Sequence, residues 1–267
     1  MARPVITLTT DFGEVDAYVA AMKGVILGIC PGARLVDISH LVRPHAIPQA
    51  AYLLSTAAPY FPAGTVHVAV VDPGVGTARR AVAVAAERAT YVAPDNGLLA
   101  LALADDPPRK AVQLTSTRYH LARVSATFHG RDIFAPTAAH LACGVPLEEL
   151  GEGVDLASLY QPEAPLVRLE DGGPWQAQVI HVDHFGNAIV NVQIEAQATS
   201  DAGVFVQVRD RRIVGLHRTF GDVAPGEVLL YRGSGGYLEI AVRGGSAARE
   251  IGIDVGDTLL IEKVQDR

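Results

Sequence analysis

The sequence predicts an α/β N-terminal domain with a mostly parallel sheet, over residues 1–160, and a smaller all-β, barrel-like C-terminal domain over residues 161–267. Three observations predict it. Up to about residue 145, short apolar runs alternate with segments of helical spacing, as in strands joined by crossover helices. Across residues 155–172 the texture changes: Pro162, Pro165 and Asp171-Gly172-Gly173-Pro174 read as a linker and turn. Beyond them apolar residues recur at period two between Gly-rich turns, the pattern of a small antiparallel barrel.

The elements follow in order. Residues 5–9 are a buried strand. Residues 16–27 form a helix with apolar Val19, Met22, Ile26 and Leu27, stopped by Gly28 and Pro31-Gly32. A strand at 35–38 precedes a helix at 48–58, which has Pro48 at its start and Pro59 after its end. Residues 65–71 are a continuous apolar strand, and 81–85 and 91–93 are shorter ones. Asp95-Asn96-Gly97 turns the chain into a helix at 98–104, and residues 132–143 form another, closed by Gly144. In the second half, strands are predicted at 177–182, 188–192, 204–208, 228–231, 237–242 and 258–261.

Composition narrows the function. With 267 residues, 49% hydrophobic and 19% charged, the chain can bury a large core in one or two domains. No run of about 18 uncharged apolar residues is present, so no membrane span is expected. The N-terminus runs into a strand with no signal-peptide pattern. The net charge is −7 without a Lys/Arg cluster, which argues against nucleic acid as a partner. No Cys/His cluster has zinc spacing, so no metal is expected. Cys30 and Cys143 are expected as buried thiols, not a disulfide, which fits the cytoplasm.

The densest chemistry lies in Val70-Val71-Asp72-Pro73-Gly74-Val75-Gly76-Thr77-Ala78-Arg79 and in Thr127-Phe128-His129-Gly130-Arg131-Asp132. A carboxylate, a guanidinium and an imidazole stand at the ends of predicted elements, where α/β folds build active sites. Arg80 competes with Arg79, since position alone does not separate them. Asp11, in Thr10-Asp11-Phe12-Gly13 after the first strand, can accept hydrogen bonds from a ribose diol; its plainer role is a turn or helix cap. Asp16 reads first as an N-cap. No phosphate-cradling glycine motif accompanies them. In the second half, Asp183 can bind an ammonium and Asn187 a purine edge. Ser234, in Gly233-Ser234-Gly235-Gly236-Tyr237, offers a hydroxyl among backbone amides suited to a carboxylate. Each also reads as an ordinary polar turn. No strand–Ser–helix elbow is present, which disfavours a serine hydrolase.

Six ordered segments carry a resemblance over nearly the whole chain: residues 8–13, 71–77, 93–99, 128–132, 183–187 and 236–241. The chain resembles the S-adenosyl-L-methionine (SAM) hydroxide adenosyltransferases, relatives of the SAM-dependent fluorinase and chlorinase. The resemblance implies an α/β domain, a C-terminal β-barrel and a homotrimer, each SAM held between the N-domain of one subunit and the C-domain of its neighbour. It implies a catalytic triad of Asp72, Arg79 and His129. It implies substrate contacts from Asp11 to the ribose diol, Asp16 and Asp183 near the methionine ammonium, Asn187 to adenine and Ser234 to the carboxylate, with Phe128 as an aromatic wall. SAM is then the substrate, no cofactor is needed, and adenosine and L-methionine are the products. Two alternatives accompany this reading. One is a SAM or adenosine sensor with slow turnover. The other is a halogenase, disfavoured because those enzymes carry an aromatic or small residue where this chain has Asp72, and because the fluorinase's long insertion is missing at residues 85–91. Related sequences often have Asn where this chain has Arg243, and a second Ser where it has Gly235.

Overall fold

The computed structural model describes residues 3–162, 166–169, 173–194 and 203–263. Pro165, Asp171 and Gly172 of the expected linker lie outside the described residues. The chain divides into two compact units, Met1–Pro162 and Glu163–Arg267.

In the first unit the strands are β1 (Val5–Thr10), β2 (Arg34–Ser39), β3 (Val66–Val70), β4 (Ala81–Ala86), β5 (Thr90–Pro94), β6 (Pro108–Gln113) and β7 (Glu152–Val154). The helices are α1 (Tyr18–Ile29), α2 (Ile47–Ala57), α3 (Ala100–Asp105) and α4 (Ala135–Ala142). The sheet order is β2-β1-β3-β5-β4-β6-β7. Strands β2, β1, β3 and β5 run parallel, whereas β4, β6 and β7 add antiparallel pairings. The sheet is thus more mixed than the alternation implies. The reason is local: only Glu87-Arg88-Ala89 separates β4 from β5, too short for a crossover helix. Strands β6 and β7 escaped the sequence reading because β6 carries Arg109 and Lys110, both exposed, in its first half.

Alternation along the parallel strands makes three layers. Ile6, Leu8, Val66, Val68 and Val70 pack with Met22, Ile26, Ala135 and Ala138 of α1 and α4. Ala69, Val71, Val82 and Val84 pack with Ala50 and Leu54 of α2 and Ala102 of α3 on the other face. The ends of β1 and β3 are thereby fixed from both faces, β3 by apolar packing on each side and β1 by apolar packing on one side and the buried Thr7 and Thr9 on the other. Asp16 does not cap α1, as the sequence suggests it should. The helix starts two residues later behind Ala17, without a side-chain cap, and Asp16 is exposed. The predicted helix at 132–143 begins instead as a π-helical turn, Gly130–Phe134, before α4. Such turns recur at functional sites.

Cys143 is exposed, contrary to the expectation of two buried thiols, because it caps α4 at the surface. Both cysteines are free. Burial, with the Cys143 side chain as hydrogen-bond partner, pushes the Cys30 thiol up to about 11.

The second unit contains β8 (Val167–Arg168), β9 (Trp175–Val182), β10 (Ala188–Gln193), β11 (Val204–Val208), β12 (Arg211–Val214), β13 (Leu216–His217), β14 (Val228–Arg232), β15 (Tyr237–Val242), a single helical turn α5 (Ala247–Glu250) and β16 (Thr258–Lys263). The order β12-β11-β16-β9-β10-β15-β14-β13 has β12 and β13 at opposite edges. These strands are consecutive in the chain, separated only by Gly215, so one stretch bridges both edges and nearly closes the sheet on itself. Its interior is aliphatic, with Val179, Val190, Val206, Leu238, Ile240 and Ile261 at its centre. Among the described residues, no helix is long and apolar enough to cross a membrane.

Candidate active site

The carboxyl ends of β1 and β3 open onto a cleft of about 280 Å³, lined in part by Asp11, Phe12, Tyr18, Asp72, Phe128 and His129. This is the crevice position at which open α/β sheets bind ligands.

Asp72 follows the last strand residues of β3 and its side chain is only 6% exposed. Arg79 Nε lies 2.9 Å from both Asp72 carboxylate oxygens, and Nη2 also donates to Oδ2. The same Nη2 lies 2.8 Å from His129 Nδ1. Three residues read from distant segments are thus brought into one chain of contacts, and the choice between the arginines is decided. Arg80 turns the other way, its Nε 2.8 Å from Asp95 Oδ2 and its Nη1 3.0 Å from Ser158 Oγ.

The surrounding sequence explains the placement. Asn96 Nδ2 donates to the Val71 carbonyl at 2.9 Å and braces the strand end next to Asp72. Gly76 has φ +78°, and a Cβ there would stand 2.7 Å from the Ala126 carbonyl oxygen. Only glycine lets the 72–79 turn lie against the 125–129 loop, which brings Arg79 to His129. That loop is tied down by Asp132, which is buried, accepts from Ser125 N at 2.8 Å and pairs with Arg131. A Cβ on Gly130 would be 3.1 Å from two atoms of the Phe12 ring, so this position keeps Phe12 close. Phe12, Tyr18 and Phe128 then form an aromatic cluster, with centroids 5.2–5.9 Å apart. Arg131 lies 4.9 Å from the Phe128 centroid on the same cluster.

The contacts fix the protonation of His129. Arginine has only donors, so Nδ1 must accept, and the proton of the neutral ring sits on Nε2. Burial, then the Arg79 charge, hold the imidazole below its ordinary value of 6.5, against the pull of Asp72 and Asp132. Protonation is harder in the folded protein than in the unfolded chain. The stability this contributes is therefore present above about pH 6.5 and is lost as pH falls towards the lower folded value. The same sign governs activity: the acid limb of kcat/KM should be centred below 6.5. A pH–rate profile with an acid limb centred above 7 would show that His129 is not held neutral by Arg79.

Asp11 sits in the bend after β1, and its Oδ2 accepts from His45 N at 2.9 Å. His45 holds a left-handed backbone (φ 67°), a conformation a non-glycine residue adopts at a cost. Its counterpart in the cleft wall, Tyr18, is 49% exposed for so large a ring. The sequence reading missed both. Tyr18 was legible as an aromatic seven residues after Asp11, whereas a left-handed His leaves no sequence signal. Asp16 is not part of the cleft lining.

In the second unit, Asp183, Asn187 and Ser234 occupy two turns. The Asp183 carboxylate accepts from Phe185 N (2.9 Å), Asn187 N (2.8 Å) and Asn187 Nδ2 (2.8 Å). The carboxylate thereby organises its own turn. Asn187 is 5% exposed. Ser234 is exposed at the tip of the turn between β14 and β15. Beneath that turn lies Glu239, a buried acid that was not singled out from sequence; Tyr231 hydrogen-bonds it, while burial and the Asp183 charge push it above the ordinary carboxylate range. Arg243 Nη1 donates to the Val223 carbonyl at 2.5 Å. Among the described residues, no group of three or more His, Cys, Asp or Glu is placed to hold a metal.

A carboxylate–guanidinium–imidazole chain thus stands at a strand end beside an aromatic-lined cleft, an arrangement of the kind enzymes of α/β fold carry at their active sites. Residues 6–151 match the SAM hydroxide adenosyltransferase N-terminal domain and residues 177–260 its C-terminal domain. The chain belongs to the SAM hydroxide adenosyltransferase family. It is 47% identical to an (R)-S-adenosyl-L-methionine hydrolase of Salinispora tropica, over 97% of each chain. A fluorinase of an Actinoplanes species is 29% identical, over 97% of this chain and 98% of its own. A crystal structure of an uncharacterised conserved protein from Thermotoga maritima superposes with a TM-score of 0.84 at 34% identity, over 96% of this chain and all of the other.

Proposed function

We propose that the protein hydrolyses SAM to adenosine and L-methionine by attack of water-derived hydroxide on the ribose C5′. The observation that carries this reading is the Asp72–Arg79–His129 chain at the end of β3. Methionine leaves as a neutral thioether, so an anion meeting a sulfonium destroys charge in the transition state, and a dry cleft favours that. Bulk water has a pKa of about 15.7, so the nascent hydroxide needs stabilising. Arg79 supplies permanent positive charge. His129, with its proton on Nε2, can donate to the oxygen and orient it or relay its proton, and the proton shed as the C5′–O bond forms and the C5′–S bond breaks passes to the Asp72 carboxylate and on to solvent. Asp72 accepts a hydrogen bond from the water and holds Arg79 in place. A carboxylate is a weak base, which argues for a shared role of the three groups.

Asp11 is proposed to hold the ribose diol, Phe128 to wall the cleft, and Asp16, Asp183, Asn187 and Ser234 to contact the remainder of SAM. The reading requires no metal and no cofactor. It includes the homotrimer implied by the resemblance, and a cytoplasmic setting in keeping with the two free thiols.

Asp72 also separates water from halide. A carboxylate at the nucleophile position favours a neutral molecule that can donate to it and repels an anion that cannot. The reaction should be run in ¹⁸O-water with abundant chloride and fluoride, supplying the (R) and (S) sulfonium epimers separately. The expected product is adenosine labelled at the 5′ oxygen, with more turnover of the (R) epimer named for the relatives. A substantial yield of 5′-halo-5′-deoxyadenosine would overturn the assignment of Asp72. Stoichiometric SAM binding without products would favour a sensor.

A further inference from the structure

Behind the Asp11 bend lies a polar chain that the proposed reaction does not use. His40, 4% exposed, follows β2. Its Nδ1 is 2.8 Å from Thr10 Oγ1, and its Nε2 is 3.0 Å from Asp37 Oδ1, a close polar contact off the line of a well-aligned hydrogen bond. Asp37 in turn pairs with Lys23 of α1 at 2.6 Å. Burial opposes the Asp37 charge, but the contacts from Lys23 and His40 outweigh it and keep the carboxyl below its usual range.

The directions of these contacts are mutually consistent. An ionised Asp37 selects the tautomer with its proton on Nε2, leaving Nδ1 to accept from the Thr10 hydroxyl. The Thr10 oxygen then keeps a lone pair for Phe12 N, 3.3 Å away. His40 also acts through its backbone, since its carbonyl accepts from Gly13 N at 2.8 Å. The bend Thr10-Asp11-Phe12-Gly13 is therefore held by His40 at its first and last residues. Asp11 lies between them, with its own carboxylate gripped by His45 N.

From this geometry we infer that His40 is a positioning residue for the ribose end of the substrate: through Thr10 and Gly13 it sets where the Asp11 carboxylate stands, without touching a reacting atom. The inference rests on the reading of Asp11 as the diol-binding acid. It sorts the kinetic parameters, because a misplaced Asp11 weakens binding of the adenosine portion while the Asp72–Arg79–His129 chain remains intact.

The test measures kcat, KM for SAM, adenosine affinity by calorimetry and the unfolding midpoint for His40→Ala, His40→Asn and Thr10→Val. Loss of the hydrogen bond in His40→Ala and Thr10→Val should weaken adenosine about tenfold and raise KM similarly, with kcat within about threefold. His40→Asn keeps an acceptor near the place of Nδ1 and should recover most of the affinity. Thr10→Val is isosteric, so it carries the test if His40→Ala does not fold. Unchanged adenosine affinity in folded Thr10→Val, or a fall in kcat at constant KM, overturns the inference while leaving hydrolysis untouched. A wild-type protein that neither binds adenosine nor cleaves SAM would instead remove the functional reading, and the inference would fall with it.

Discussion

Replacing Asp72 with Asn lowers SAM turnover by about 10²–10⁴, the usual worth of one positioned group in a proton-transfer step, while the protein still folds. The change is nearly isosteric, but it turns a carboxylate that accepts from Arg79 Nε and Nη2 into an amide that presents N–H to the guanidinium. Arg79 then loses the group that aims it at His129 Nδ1, and the water loses its acceptor. Asp72→Ala is expected to be worse in a different way. Arg79 is 11% exposed and Asp72 6%, so truncation leaves a nearly buried guanidinium unpaired. Breaking such a pair costs about 3–5 kcal/mol. Steady-state kcat measured alongside urea unfolding separates the two effects: Asn should lose rate at near-native stability, and Ala should lose both. His129→Ala removes the oriented donor and should also abolish most turnover. Near-normal rates in both Asp72→Asn and His129→Ala would remove the three residues from the mechanism.

Asp183→Ala raises the KM for SAM by about tenfold or more and lowers the melting temperature, because the carboxylate is the hub of its turn. Three N–H donors converge on it, one of them the Asn187 amide, and Asn187 is almost fully buried. Orphaning buried donors costs about 1–3 kcal/mol, or several degrees in melting temperature for a domain of ordinary size. The turn has little capacity to rearrange. A Cβ on Gly186 would fall 2.0 Å from Ser246 Oγ, and the Gly186 carbonyl accepts from Ala248 N at 2.9 Å. With the hub gone, Asn187 loses its fixed amide orientation, and the adenine contact proposed for it goes too. Asp183→Asn keeps one acceptor oxygen and should fall between. An alanine variant with wild-type KM and melting temperature would show that the turn does not depend on Asp183.

Some of this was legible in the residues alone. The strands β1 and β3, with acids after their ends, are legible because a strand buried on both faces is rich in β-branched residues and stops where charge begins. The change to period two likewise announced the β unit, because one face of each strand meets the aliphatic interior. Asp72, Arg79 and His129 were readable as candidates because a carboxylate, a guanidinium and an imidazole occur together at the ends of predicted elements, although each alone also reads as a turn former, a surface charge or a structural imidazole.

What the sequence left open is what depends on partners far along the chain. Arg79 and Arg80 are adjacent and chemically identical; only the backbone of the 72–79 turn sends one to Asp72 and the other to Asp95. The start of α1 behind Ala17 and the π-helical turn after His129 depend on how α1 and α4 pack on the sheet, which overrides local capping preference. The antiparallel half of the first sheet followed from the three-residue connection between β4 and β5, and the next strand, β6, carries weak periodicity because Arg109 and Lys110 occupy its exposed half. Near-closure of the barrel depended on β12 and β13 meeting opposite edges, a long-range pairing that no local pattern encodes. The tautomer of His129 and the clamp of His40 on the Asp11 bend were decided by single hydrogen bonds across 50 and 30 residues. A sequence states which groups are available, whereas hydrogen-bond direction is set by which donor and acceptor the folded chain brings within 3 Å.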